Sequence, residues 1–196
     1  LDGKTTVAVA AGNVTSISGT ATEVKAAYTA DASGTIVLDG DEAVSVSGSV
    51  SVADANIIAG KTSGIVTATI AEGDTSTLAT LNETGNAYTI TITDTSATAA
   101  NLTTIDSATT VVVQAGNVTT ITGTSTQVLA IYAADAAGSI VLDNDEAVTI
   151  SGNISASDLR QIDGYTSGVV NVSAASTIAG TSTDLAAVYT ANDASN

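Results

Sequence analysis

The sequence predicts an α/β repeat solenoid: parallel β-sheet coils with short helices on one side, in about seven coils of 22–31 residues. Three observations carry that prediction. The chain repeats itself at a long, fixed offset. Its extended stretches alternate apolar and polar residues. Its helical stretches open on capping signals.

An offset of 104 residues brings Leu1-Asp2 onto Ile105-Asp106 and holds without a gap. It brings Gly12-Asn13-Val14-Thr15 onto Gly116-Asn117-Val118-Thr119, and Tyr28 onto Tyr132. Ile36-Val37-Leu38-Asp39 falls on Ile140-Val141-Leu142-Asp143, and Thr62-Ser63-Gly64 on Thr166-Ser167-Gly168. Residues 1–196 are expected to form a single solenoid, with one long repeat over 1–104 and a partial second copy over 105–196. The chain opens on Leu1, as a fragment or a processed product would, and no signal peptide is visible. Both ends fall inside a repeat, so further coils are expected beyond them.

The elements follow in order. Thr6–Ala10 reads as a first strand. Thr20 and Glu23 then form a capping box, in which hydroxyl and carboxylate satisfy the first free N–H groups of a helix. Val24, Ala27 and Tyr28 follow at helical spacing. Over 44–52 the residues VSVSGSVSV put Val44, Val46, Val50 and Val52 on one face, the mark of a half-buried strand. A helical position at Ala55 leads to a strand over Ile65–Ile70. Leu78 and Leu81 suggest a single helical turn, Tyr88–Thr93 a strand, and Leu102 and Ile105 another single turn. Thr110–Val113 is extended, and Thr124 with Gln127 repeats the capping box ahead of Val128, Ile131 and Tyr132. Ser155 with Asp158 is a weaker cap, Val169–Val172 a strand, and Thr181 with Asp184 a cap ahead of Leu185, Val188 and Tyr189.

Composition agrees with a narrow interior. Cys, Met, Trp, Phe, Pro and His are all absent, and apart from five Tyr the apolar residues are Ala, Val, Ile and Leu. At 44% apolar, with a mean hydropathy of +0.35, the chain can bury a core. Its formal net charge is −16, with only four Lys plus Arg, which repels phosphate backbones and anionic membrane surfaces. No apolar run approaches the ~20 residues that span a bilayer. Without Cys or His there is no thiol nucleophile, imidazole base or zinc–thiolate site, so no enzymatic activity is expected. Carboxylates could still hydrolyse sugars, but here they recur with the repeat instead of clustering once.

Three stretches carry a resemblance: DEAVSVSGSVSVADAN (41–56), TSGIVTATI (62–70) and AYTITITDTSATAANLTTID (87–106). The chain resembles the Thr/Ala/Val/Asp-rich, Cys-free repeat regions of giant marine and cyanobacterial cell-surface proteins and related S-layer-type proteins. The resemblance spans essentially the whole chain. It implies an extracellular structural repeat module of a surface layer, filament or giant surface protein, acting by coil stacking and assembly. Its partners would be neighbouring repeats, or further copies of itself end to end. The alternative is an adhesin module binding glycan or a cell surface. A polysaccharide-active enzyme and an ice-binding protein rank lower, the latter because the Thr67/Thr69 and Thr89/Thr91/Thr93 rows are not sustained in the other strands.

Many such surface proteins bind calcium, and calcium is the one cofactor the sequence suggests. Its ligands would be Asp39, Asp41 and Glu42, with Asp143, Asp145 and Glu146. The plainer reading makes these segments solvated turns before a strand, since further ligands at EF-hand spacing are absent. Tyr28, Tyr132 and Tyr189 could line a sugar-binding row, or cover the helix–sheet seam with their hydroxyls in solvent. Asn13, Asn117 and Asn153 each open a glycosylation sequon, which a chain this rich in Thr and Ser produces by chance.

Overall fold

The computed structural model describes residues 2–194. The chain divides into two compact units, one of residues up to Thr91 with Ser107–Val112, the other of Ile92–Asp106 with the residues from Val113 onward. A 3₁₀ turn at Asp2–Lys4 precedes β1 (Val9–Ala10), β2 (Ser16–Thr20), α1 (Ala21–Ala32), β3 (Ile36–Val37) and β4 (Ala43–Val50). Next come α2 (Val52–Ala59), β5 (Val66–Ile70), α3 (Thr75–Leu78) and β6 (Ala87–Thr89). Then follow β7 (Ser96–Thr98), α4 (Ala99–Ala108), β8 (Val113–Gln114), β9 (Thr120–Gly123), α5 (Ser125–Ala137) and β10 (Ile140–Val141). The last elements are β11 (Ala147–Ser155), α6 (Ala156–Asp163), β12 (Val170–Ala179) and α7 (Ser182–Ala194).

Every strand pair is parallel. The first unit holds the pair β1-β3 and a four-stranded sheet ordered β2-β4-β5-β6. The second holds the pair β10-β8 and a four-stranded sheet ordered β12-β11-β9-β7. Helices connect most neighbouring strands, as parallel pairing requires.

The single seven-coil solenoid over 1–196 is therefore incorrect. Among the described residues the protein is a mixed α/β fold with seven α-helices and several separate parallel sheets, in two units. Beyond β6 the pairing of the first long sheet shrinks to a single parallel bridge, Asn86 with Thr109, for a local reason. The Thr109 hydroxyl accepts from Tyr88 N at 2.9 Å and donates to Tyr88 O at 2.7 Å. One side chain thus satisfies both backbone groups that a following strand would have used.

The capping boxes form as the sequence indicates. Thr20 N donates to Glu23 Oε2 at 2.8 Å and Glu23 N to Thr20 Oγ1 at 3.3 Å, with the same exchange between Thr124 and Gln127. The backbone and hydroxyl bonds from Thr20 hold the Glu23 carboxyl below its ordinary value. Each such cap contributes about 1 kcal/mol. Other boundaries move. The expected strand over 44–52 bends at Gly48, where φ is 75° and the pairing with β5 slips, and Val52 already belongs to α2. Gly152 makes the matching bulge in β11. The single turn expected at Leu102 and Ile105 is a ten-residue helix.

The core is built of small aliphatics. Val24, Val66, Ile58 and Leu78 in the first unit, and Val128, Ile131, Ile150 and Ile162 in the second, are fully buried. Each contributes roughly 1.5–3 kcal/mol by leaving water.

Candidate functional site

The two acidic segments are the connections β3–β4 and β10–β11, and both are built around one buried glutamate. Asp39, Asp41, Asp143 and Asp145 are exposed, whereas Glu42 and Glu146 are wholly inaccessible. Glu146 Oε1 accepts from Asp143 N and Asn144 N, both at 3.1 Å. Its Oε2 accepts from the Tyr132 hydroxyl at 3.1 Å. Glu42 repeats the pattern with longer bonds, from Gly40 N at 3.3 Å and the Tyr28 hydroxyl at 3.4 Å. The turn needs a left-handed residue in both copies, supplied by Gly40 at φ 75° and by Asn144 at φ 59°. Gly and Asn tolerate that conformation best.

A second segment wraps each turn from about 20 residues downstream. Thr62 Oγ1 donates to Glu42 O at 2.6 Å and accepts from Gly64 N at 2.9 Å. Thr166 does the same with Glu146 O at 2.7 Å and Gly168 N at 2.9 Å. Ser63 N and Ser167 N donate to Gly40 O and Asn144 O. Upstream, Asp31 and Asp135 accept from Leu38 N and Leu142 N, both at 2.8 Å. The Tyr132 ring stacks on Tyr165 at 5.4 Å. The Thr-Ser-Gly triplets stood out in the sequence only as repeat matches; nothing local marked them as clamps.

Tyr28 and Tyr132 differ from expectation. Their hydroxyls point inward to the glutamates instead of standing in solvent, and the rings are 4% and 1% exposed. Tyr189 is 70% exposed and does not share their burial.

As a metal site the segments are unequal. Among the described residues, Asp39, Asp41 and Glu42 are the one group whose ligating atoms gather within 4.8 Å. Asp143, Asp145 and Glu146 do not gather in this way, although the glutamate geometry is shared. Calcium takes six to eight oxygens, and each Glu42 oxygen already accepts one hydrogen bond, from Gly40 N and from the Tyr28 hydroxyl. The groove beside α1 and α2, with Lys25, Tyr28, Ile58 and Lys61 along it, is lined by no carboxylate pair, histidine or cysteine.

Burial, followed by the nearby carboxylates, raises the Tyr28 and Tyr132 phenols above their ordinary value. Burial, with Glu83 adding to it, pushes Tyr88 up to about 12. A raised phenol favours the protonated fold, so its stabilising effect is complete below the unfolded value of 10.0. Above that, the unfolded chain releases protons first and stability falls with rising pH. Urea unfolding at about pH 8, 10 and 11.5 is expected to show a progressive loss, on the order of 2 kcal/mol from Tyr88 alone. Tyr88→Phe should remove that share and leave the part due to Tyr28 and Tyr132.

No protein-family model, curated protein or solved structure matches this chain.

Proposed function

We propose that this chain is an extracellular structural repeat module of a bacterial surface layer, filament or giant surface protein, and that it acts by joining neighbouring repeats. One observation carries the reading. The buried glutamate, its tyrosine and its threonine clamp occur twice, with the same chemistry at equivalent positions. An active site is built once, whereas a device that locks a turn is copied with its unit. The two buried carboxylates, Glu42 and Glu146, are spent on backbone N–H groups and phenols. The net charge of −16 suits a soluble exterior and disfavours nucleic acid as a partner. No helix among the described residues is long and apolar enough to cross a membrane.

Sedimentation and electron microscopy across a concentration series test the reading. Ordered end-to-end assemblies are expected. A chain that stays monomeric and binds selected glycans saturably on an array would instead be an adhesive module.

The acidic turns are assigned a structural role in the same reading. Calcium is expected to leave the melting midpoint where magnesium at equal ionic strength leaves it, because a ligand stabilises only through preferential binding to the fold. A calcium-specific rise, removed by Asp39→Asn with Asp41→Asn, would make the first turn a metal site.

A further inference from the structure

We propose that β12 and α7 form an open receptor for a parallel strand that enters behind an acidic turn, supplied by another repeat of this kind, with Tyr189 accepting the role that Tyr132 plays inside the second unit. The inference rests on the module reading above and names the surface that does the joining.

One segment of the chain occurs a third time. Residues 176–184 read STIAGTSTD and residues 119–127 read TTITGTSTQ, an offset of 57 that also carries Tyr132 onto Tyr189. The structures agree. Asp184 N donates to Thr181 Oγ1 at 3.2 Å, as Gln127 N does to Thr124 Oγ1 at 3.4 Å. The strand before the cap is extended in both.

The two copies differ in what flanks them. In β9, Thr120, Ile121 and Thr122 pair on one side with Ser96, Ala97 and Thr98 of β7. On the other side they pair with Ala147, Val148 and Thr149 of β11. In β12, Thr177, Ile178 and Ala179 pair with Asn153, Ile154 and Ser155 alone. The occupied sides correspond, because the sheet order β12-β11-β9-β7 follows the chain: each of the two strands meets the preceding strand of the sheet on one side, β7 for β9 and β11 for β12, and parallel crossovers share one hand. The open side is therefore the one that the acidic-turn strand Ala147–Ile150 fills on β9. Its consequences show in exposure: Ile121 and Tyr132 are 0% and 1% exposed, and their counterparts Ile178 and Tyr189 are 37% and 70%. Val128 is buried, whereas Leu185 is half-buried.

The internal copies specify what fits. A parallel strand would satisfy the edge N–H and C=O groups and cover Ile178. A glutamate just before it would receive the Tyr189 hydroxyl, as Glu42 and Glu146 receive Tyr28 and Tyr132 from helices 14 residues upstream. The α7 helix meets α6 through the Arg160–Asp184 ion pair at 3.2 Å.

The probe is a synthetic peptide of residues 36–50, IVLDGDEAVSVSGSV, added to the intact chain. Saturable one-to-one binding by calorimetry is expected, with new amide-exchange protection at Thr177–Ala179. A peptide carrying Glu42→Ala should bind about tenfold more weakly, and Tyr189→Phe in the chain should cost a similar factor for the native peptide and almost nothing for the altered one. Absent binding, or binding indifferent to both changes, overturns the receptor. Ordered assembly of the chain without peptide capture refutes this surface and leaves the module reading standing. Peptide capture by a chain that never assembles does the reverse.

Discussion

Alanine at position 64 or 168 is expected to cost the fold ~3 kcal/mol or more. A Cβ on Gly64 would overlap the Glu42 carbonyl oxygen and lie 2.7 Å from Asp41 O. On Gly168 it would overlap the Glu146 carbonyl and lie 2.6 Å from Asp145 O. These are backbone atoms of a tight turn, and neither can rotate aside like a side-chain end. Relief means moving the turn away from its clamp, which breaks the Thr62 Oγ1 bond to Glu42 O at 2.6 Å or the Thr166 bond to Glu146 O at 2.7 Å. The conflict is one of volume, since neither glycine has a positive φ. Gly12→Ala, with nothing within 4 Å of the added carbon, is the control and should be close to neutral. Urea midpoints of the three variants decide the matter. Losses under about 1 kcal/mol at both 64 and 168 would mean that the clamp is loose.

Removing the buried glutamate is the second large effect. Glu146→Ala strips the partner from the Tyr132 hydroxyl, Asp143 N and Asn144 N together. An orphaned buried donor costs about 1–3 kcal/mol, and the two backbone donors, at the rim of the turn, regain part of that from water. A net loss of ~3 kcal/mol is expected. Tyr132→Phe removes one donor and leaves the other two bonds intact, so about 1 kcal/mol is expected. The double variant should lose less than the sum, because each single variant already removes the Tyr132–Glu146 bond. Glu42→Ala should cost less than Glu146→Ala, since Glu42 holds one backbone N–H at 3.3 Å and a hydroxyl at 3.4 Å. Additive losses in the double variant would mean that the Tyr132–Glu146 contact does not stabilise the turn.

The sequence showed some of this directly. Thr20 with Glu23 and Thr124 with Gln127 were legible because a capping box closes within four residues. Val44, Val46 and Val50 were legible as a buried face because side-chain direction in a strand alternates with every residue. The end of the first sheet was not, because it turns on a hydroxyl at Thr109 meeting Tyr88 from 21 residues away. The acidic turns were legible as turns but not in their division of labour. Composition does not distinguish Asp39, Asp41 and Glu42. Only the arrival of Tyr28 from one side and Thr62 from the other selects Glu42 for burial. Its longer side chain reaches back under the turn to Gly40 N.

By itself, then, the order of residues determined the repeats, the caps, the alternating faces and the absence of thiol or imidazole chemistry. These depend on spacing along a few neighbouring residues or on what the chain contains. The tertiary structure alone decided where each sheet stops, which carboxyl is enclosed, and why Tyr132 is covered while Tyr189 stands open. The physical reason is that burial and the pairing of a strand's second edge depend on which distant segment comes to rest beside it, and three nearly identical segments here meet different neighbours.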